Sequence, residues 1–551
     1  MTSLALRLAR PEVLALAPFD IGVRDVGGAA DIISLDANEN PFPPLGSSGL
    51  EAGVNRYPEP QPARLCRMMA SLYGVSPDQL VITRGADDAI DLLVRAFCRA
   101  GEDSVMIAVP TFSAYAHFAQ LQGARVVAAE LTPDFDFDGA AFLEAARGVD
   151  GLKLAFICSP NNPTGNPVPP AQLLEIADAL PETLIVVDEA YIEFSDLESL
   201  AGEAAESANL VVLRTLSKAY GLAGARIGAA IANTDILAVL RRVLPPYPLP
   251  TLSIEAALAA LAPARRPVHQ DRIDRIKAER TRMAERLTAS PLVRTVRNGG
   301  GNFLFLEVKD APALVRRLDQ SGIRVRFREN AALGGVRLTI GTPEENDAAL
   351  AAFGVGTDAV EGRRADVVRD TKETSIAVAV DLDRSAPRQV ASGIPFYDHM
   401  LDQVAAHGGF SLILSCKGDL DIDGHHSIED CAIAFGTALS RALGLRQGIG
   451  RFGFTLPMDE AEAQVLIDLS GRPCSVFEGS FEASHIGAYP TQMTRHVFRS
   501  LADSLGAAIH VRVSGDNDHH KTEACFKALG RALRQAVRLE GGGVPSTKGM
   551  L

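Results

Sequence analysis

His425-His426-Ser427-Ile428-Glu429 returns further along the chain as His519-His520-Lys521-Thr522-Glu523. Each copy follows a lone histidine at a similar distance, His399 lying 26 residues before the first pair and His496 lying 23 residues before the second. A unit repeated at a similar spacing implies an α+β module of two duplicated half-domains, each joining strands to a helix that starts near its own His-His-x-x-Glu. Neutral imidazole and carboxylate are the side chains that hold borderline divalent cations, so the two matched sets predict a paired metal centre. If each motif opens a helix, adjacent histidines point about 100° apart while the glutamate three and four residues on lies near both. The two imidazoles of a pair should then serve different metals. One division places His399, His426, His520 and Glu429 on one ion and His425, His496, His519 and Glu523 on the other; sites formed only between subunits are the alternative. Three nitrogens and a carboxylate leave positions open on a six-coordinate ion, which suits manganese better than a closed structural zinc.

The chain around this module has 551 residues, 47% of them apolar and 22% charged, the balance of a globular protein with roughly three or four domains. It has no stretch of about 18 or more apolar residues and no apolar leader before a small-residue cleavage site, which predicts a cytoplasmic protein without membrane contact. Seven cysteines without a C-x-x-C pair read as reduced thiols. An acidic excess of 68 over 54 residues disfavours a broad nucleic-acid surface, so any phosphate must be gripped locally.

From about residue 30 to 350, β-branched runs such as Val81-Ile82-Thr83, Leu184-Ile185-Val186-Val187 and Leu210-Val211-Val212-Leu213 alternate with Ala/Leu-rich helical patterns. That is an α/β layout. The small, polar segment 354–363 reads as a linker between a module over 1–353 and one over 364–551.

In the first module Lys218 follows an apolar strand, with Ser217 beside it and Arg226 eight residues on. A lysine in that setting is placed to join an aldehyde cofactor, and Ser217 and Arg226 supply a donor and a fixed charge for an anionic group. Asp188 closes the run Val186-Val187-Asp188, where a buried carboxylate keeps a pyridinium nitrogen protonated. Tyr191 and Asn161, the latter from the turn Ser159-Pro160-Asn161-Asn162-Pro163-Thr164-Gly165, are candidates for the ring hydroxyl. Thr83-Arg84-Gly85-Ala86-Asp87-Asp88 reads as a strand end meeting a helix N-terminus, so the free N–H groups of Gly85, Ala86 and Asp87 are candidates for phosphate. The cofactor expected is pyridoxal 5'-phosphate.

These motifs, with Leu35-Asp36-Ala37-Asn38-Glu39-Asn40-Pro41, Asn55-Arg56-Tyr57-Pro58, Pro246-Tyr247-Pro248-Leu249 and Val336-Arg337-Leu338-Thr339-Ile340-Gly341, resemble fold-type I pyridoxal-phosphate aminotransferases, and more fully the histidinol-phosphate aminotransferases. The resemblance implies large and small transferase domains and a dimer in which Tyr57 reaches the partner's cofactor phosphate. It also implies that Arg326 and Arg337 clamp a phosphate substrate, and that glutamate is the amino donor. Relatives with the same core act on aromatic amino acids, which leaves a broader aminotransferase fused to a metal-binding assembly scaffold as the alternative.

Arg369-Asp370-Thr371-Lys372-Glu373-Thr374, Ser392-Gly393-Ile394-Pro395-Phe396-Tyr397-Asp398-His399, Asp516-Asn517-Asp518-His519-His520 and Pro545-Ser546-Thr547-Lys548-Gly549 resemble imidazoleglycerol-phosphate dehydratase, with Gly424 and Ser427-Ile428 as small departures. That resemblance implies a ribosomal protein S5 domain 2-like fold, two manganese ions per site and a higher-order shell built from trimers. It places Glu373 near the reacting hydroxyls, with Glu429 or Glu523 as ligand or base. Arg451, Arg472, Lys527, Ser546 and Lys548 become the phosphate grip. Removing an unactivated C–H proton requires the neighbouring imidazole of the substrate to take up electrons, a demand that metal ions on its nitrogens would meet. The dehydratase product is the keto substrate of the aminotransferase, so the two resemblances together imply consecutive steps of histidine biosynthesis on one chain.

Overall fold

The computed structural model describes residues 2–16, 54–327, 334–356, 363–453 and 456–541. The signature at 35–41, Ser546, Lys548 and most of the 354–363 linker lie outside them. Two compact units emerge, Met1–Leu261 with Ile273–Ala359, and Ala262–Arg272 with Val360–Leu551. A single cut at 354–363 would leave Ala262–Arg272 in the first unit. The segment instead groups with the second, where Val268 packs with Ala377, Ala379 and Ile413.

In the first unit a seven-stranded sheet runs in the order β1-β7-β6-β5-β4-β2-β3. Its strands are β1 (Leu80–Thr83), β2 (Ser104–Val109), β3 (Arg125–Glu130), β4 (Leu152–Cys158), β5 (Leu184–Asp188), β6 (Leu210–Thr215) and β7 (Gly228–Ile231). All neighbours are parallel except β7, which is antiparallel to β1 and β6. Every residue of β5 and β6 is buried, as continuous apolar runs covered on both faces by helices require. A second, antiparallel sheet has the order β10-β9-β8, from β8 (Val293–Arg297), β9 (Phe303–Val308) and β10 (Gly335–Thr339).

The second unit repeats one plan. Its first sheet, in the order β11-β12-β14-β13, consists of β11 (Arg364–Asp370), β12 (Thr374–Asp381), β13 (Arg388–Ala391) and β14 (Ser411–Gly418), antiparallel but for the β13–β14 pair. The other sheet contains β15 (Phe452–Gly453), β16 (Leu456–Met458), β17 (Ala461–Asp468), β18 (Cys474–Glu478) and β21 (Ala508–Ser514), with β19 (His485–Ile486) and β20 (Tyr489–Pro490) forming a separate short ribbon. Its order is β15-β17-β21-β18, with β16 also on β17 and only the β18–β21 pair parallel.

Each half then adds a helix between its third and fourth main strands and closes on another. These are α1 (Pro395–Gly408) and α2 (His425–Leu443) in the first half, α3 (Met493–Leu505) and α4 (Asp518–Ala536) in the second. The helices pack across the halves, α2 on α3 and α1 on α4. One hydrophobic core, running from Val378 and Leu401 to Val497 and Phe526, therefore joins both. Among the described residues no helix is long and apolar enough to cross a membrane.

Candidate active sites

At the C-terminal ends of the parallel strands, where loops of an α/β sheet leave a crevice, the first unit has a cavity of about 670 Å³. Asp188, the last residue of β5, forms part of its wall. Its Oδ2 accepts a 2.7 Å hydrogen bond from the Tyr115 hydroxyl and its Oδ1 a 3.0 Å bond from the Ala190 N–H. Burial pushes this carboxyl up to about 6, although both hydrogen bonds work in the other direction. Lys218 lines the same cavity, its Nζ 5.7 Å from the centre of the Tyr191 ring. Burial, then the positive charge of Arg337, lowers the lysine below its ordinary range, which favours the neutral amine that attacks a carbonyl.

The anion-binding end is built where β1 turns into the helix Ala86–Phe97. Gly85 precedes that helix with φ +85°, and a Cβ there would meet Arg226 Nη2 at 2.6 Å. Glycine is thus required both for the left-handed backbone and for the close approach. Arg226, itself at φ 57°, is held by Ser217 Oγ at 3.4 Å and Asp87 at 3.2 Å. The Gly85 N–H, expected to be free, donates to Thr83 O at 2.8 Å, because the chain turns tightly there. The N–H groups of Ala86 and Asp87 in the first helical turn, a guanidinium and a hydroxyl remain as a phosphate cradle. A buried carboxylate, a lysine with depressed basicity and this cradle around one cavity fit pyridoxal phosphate.

One residue of the expected set is displaced. Asn161 does not line the cavity: its Nδ2 donates to Pro110 O and Thr164 Oγ1, both at 2.9 Å, and its Oδ1 accepts from Thr111 Oγ1 at 2.8 Å. Asn162 takes the place, donating to the Tyr191 hydroxyl at 3.3 Å and accepting from Arg337 Nη1 at 2.5 Å. Consecutive residues of a turn project to different sides, and two adjacent asparagines carry no signal of which one faces inward. Arg326 and Arg337 both line the cavity and exchange backbone hydrogen bonds of 3.1 and 2.9 Å. Tyr57 is exposed and stacks on Tyr247 at 4.3 Å. Tyr115 escaped sequence reading because an apolar neighbourhood makes a tyrosine look like core.

In the second unit both motifs open helices, His425 and His426 at the start of α2, His519 and His520 at the start of α4. Rings within a pair stand 78° and 89° apart, so they face different surroundings. Within one chain these side chains group differently from the division drawn from spacing, although His425 stays with His496 and His519 with Glu523. His425 and Glu429 of α2 meet His496 of α3, with ligand atoms within 4.8 Å of one another. His399 of α1 and His519 of α4 approach the two oxygens of Glu523 at 3.6 and 3.5 Å. The reason is the packing of helices across the halves, which brings the lone histidine of one half to the paired motif of the other.

His426 and His520 point elsewhere, to Asp419 at 3.1 Å and Glu460 at 2.9 Å. Among the described residues His496 Nδ1 is buried without a hydrogen-bond partner, and carboxylates stand 3.4 to 3.6 Å from imidazole nitrogens, too far for good hydrogen bonds. Donor sets of this kind fit a divalent cation. Lys527 Nζ lies 2.9 Å from Glu523; against the effect of burial, that ammonium holds the carboxylate below its usual range. Arg451 is paired with Asp468 at 2.6 Å, Arg472 is exposed between β17 and β18, and Glu373 is exposed in the turn between β11 and β12.

Two family models match the chain, "Aminotransferase class I and II" over residues 30–353 and "Imidazoleglycerol-phosphate dehydratase" over residues 392–533. The cavity with its lysine and aspartate at strand ends, together with this match, places the chain among the class I and II aminotransferases, and its C-terminal part matches the dehydratase model. More particularly, it is 43% identical over 358 residues to a histidinol-phosphate aminotransferase of Xylella fastidiosa, an alignment covering 64% of this chain and 97% of that protein. A solved histidinol-phosphate aminotransferase from Sinorhizobium meliloti in complex with pyridoxal-5'-phosphate is 28% identical with a TM-score of 0.52, covering 57% of this chain and 88% of that one. The C-terminal part is 56% identical over 189 residues to the "Histidine biosynthesis bifunctional protein HisB" of Stenotrophomonas maltophilia. That alignment covers 34% of this chain and 53% of the relative, so the chain spans about half the length of the bifunctional proteins it matches.

Proposed function

We propose that the chain is a bifunctional enzyme of histidine biosynthesis. Its second unit dehydrates imidazole glycerol phosphate to imidazole acetol phosphate, and its first transaminates that product with glutamate to histidinol phosphate. The observation that carries this reading is the presence, on one chain, of the Lys218–Asp188–Arg226 cavity and of two matched His/Glu clusters.

Pyridoxal phosphate, when bound, supplies the electron sink for transamination. Asp188 would hold its ring nitrogen protonated, Asn162 and Tyr191 its ring hydroxyl, and Ser217, Arg226 and the start of the helix at Ala86 its phosphate. Lys218 would form the covalent link to the aldehyde and then carry protons. Arg326 and Arg337, side by side on the cavity wall, are suited to an anionic substrate group.

For the dehydratase, manganese would supply Lewis-acid stabilisation of charge on the substrate imidazole. His425, Glu429 and His496 would hold one ion and His399, His519 and Glu523 the other. His426 and His520, hydrogen-bonded through Nδ1 to Asp419 and Glu460, would use Nε2 to complete sites on a neighbouring copy, which supports a homo-oligomer with shared metal sites; Tyr57 supports a dimeric contact in the first unit. Glu373 moves the proton, and Arg451, Arg472, Lys527, Ser546 and Lys548 grip the phosphate. The absence of a long apolar helix among the described residues agrees with a cytoplasmic enzyme.

The test supplies the purified chain with imidazole glycerol phosphate, manganese, pyridoxal phosphate and glutamate, and follows histidinol phosphate and 2-oxoglutarate by mass spectrometry. Both products are expected. Accumulation of the keto phosphate alone would reject the aminotransferase specificity, and surviving starting material would reject the dehydratase.

A further inference from the structure

The histidines of the second unit meet carboxylates in two different ways. His399, His425 and His519 approach Glu523 and Glu429 through Nε2 at 3.4 to 3.6 Å, separations that suit a shared cation better than a hydrogen bond. His426 and His520 instead present Nδ1, to Asp419 at 3.1 Å and to Glu460 at 3.0 and 2.9 Å. These are hydrogen bonds, and an ionised carboxylate only accepts, so each Nδ1 carries the proton. A neutral imidazole with Nδ1–H has its remaining lone pair on Nε2. The two side chains are 40% and 31% exposed, which leaves that lone pair accessible.

We propose that Asp419 and Glu460 are positioning residues for the metal centre, fixing the tautomer and ring orientation of His426 and His520 and raising their basicity as ligands. The inference rests on the dehydratase reading above. The two acids reach the same role from unrelated places. Asp419 follows β14, seven residues before its histidine, whereas Glu460 lies in the β16–β17 turn, sixty residues before its own. That turn corresponds in the repeated plan to the β11–β12 turn bearing Glu373. The same hydrogen bond at the second histidine of both motifs, made by non-equivalent residues, is hard to attribute to inheritance of one duplicated contact. Glu460 and His520 also approach Asp459, and the alternative that Glu460 is itself a ligand gives a different stoichiometry.

The test is a manganese titration of the full chain, with free and bound Mn²⁺ distinguished by electron paramagnetic resonance. It compares the parent with Asp419→Ala, Glu460→Ala, Asp419→Asn and Glu460→Gln, together with the melting temperature of each metal-free chain. The expected result is an unchanged number of ions bound about 10- to 100-fold more weakly in the alanine variants, with the acceptor-retaining amides in between and metal-free melting as in the parent. Parent-like affinity in both alanine variants would overturn the proposal, as would loss of a bound ion on changing Glu460, or weaker binding matched by a lower metal-free melting temperature. A parent chain that binds no Mn²⁺ would sink the dehydratase metal reading and this inference together, whereas tight parental binding with indifferent variants sinks only the inference.

Discussion

The hydroxyl of Tyr115 lies 2.7 Å from Oδ2 of Asp188, and both side chains are buried. Tyr115 is held there by stacking on Phe156 at 4.9 Å and by an edge contact with Phe112 at 5.7 Å. Its hydrogen bond favours the ionised form of a carboxylate that burial drives toward the neutral one. Changing Tyr115 to Phe should therefore raise the Asp188 carboxyl further and weaken the grip on pyridoxal phosphate. Hydrogen bonds to charged groups contribute about 1.5 to 3 kcal/mol, so a loss of about tenfold or more in cofactor affinity is expected by spectroscopic titration. Unchanged affinity would show that the hydroxyl only packs.

Asp188 itself should make the cofactor-free protein less stable at high pH. A carboxyl raised in the folded state binds its proton more tightly there, so its contribution becomes unfavourable as pH rises from the usual 3.8 through about 6. At about 1.4 kcal/mol per pH unit the gap is worth about 3 kcal/mol. Denaturant titration without cofactor should find Asp188→Asn more stable than the parent at pH 8 by up to that amount, with little difference at pH 4. The same variant should lose transamination.

The two neighbouring asparagines should separate cleanly. Asn162→Ala removes a contact with Tyr191 and Arg337 on the cavity wall and should lower kcat/KM by about tenfold or more, with melting little changed. Asn161→Ala leaves Thr111 and Thr164 without their partner inside the turn and should act chiefly on stability, by about 1 to 3 kcal/mol. The reverse pattern would restore Asn161 as the cofactor contact.

Lys218→Ala should abolish transamination and the absorbance of the lysine-bound cofactor while leaving dehydration in place. His425→Ala should spare transamination, disrupt the cluster with Glu429 and His496, and reduce the manganese bound per chain from two to one, because His399, His519 and Glu523 remain. Assaying both reactions and the metal content of each variant checks the assignment.

Much of this protein was determined locally. Asp188 and Lys218 stand at or just beyond strand ends because apolar β-branched runs stop there, and Gly85 marks the turn from strand to helix because its backbone demands φ above zero. The repeated His-His-x-x-Glu announced two related halves, and its helical phase already sent the two imidazoles of each pair in different directions. What spacing did not contain was the full partnership. It set His496 with His425, as the packing of α2 on α3 does, but it gave His399 to Glu429, whereas α1 packs on α4 in a core common to both halves and sets His399 beside Glu523. The inward asparagine and the carboxylates behind His426 and His520 are of the same kind. Sequence periodicity specifies which face of an element is apolar, but the match between faces of distant elements is set by packing in three dimensions, and only there do Asp419, Glu460 and Asn162 acquire their neighbours.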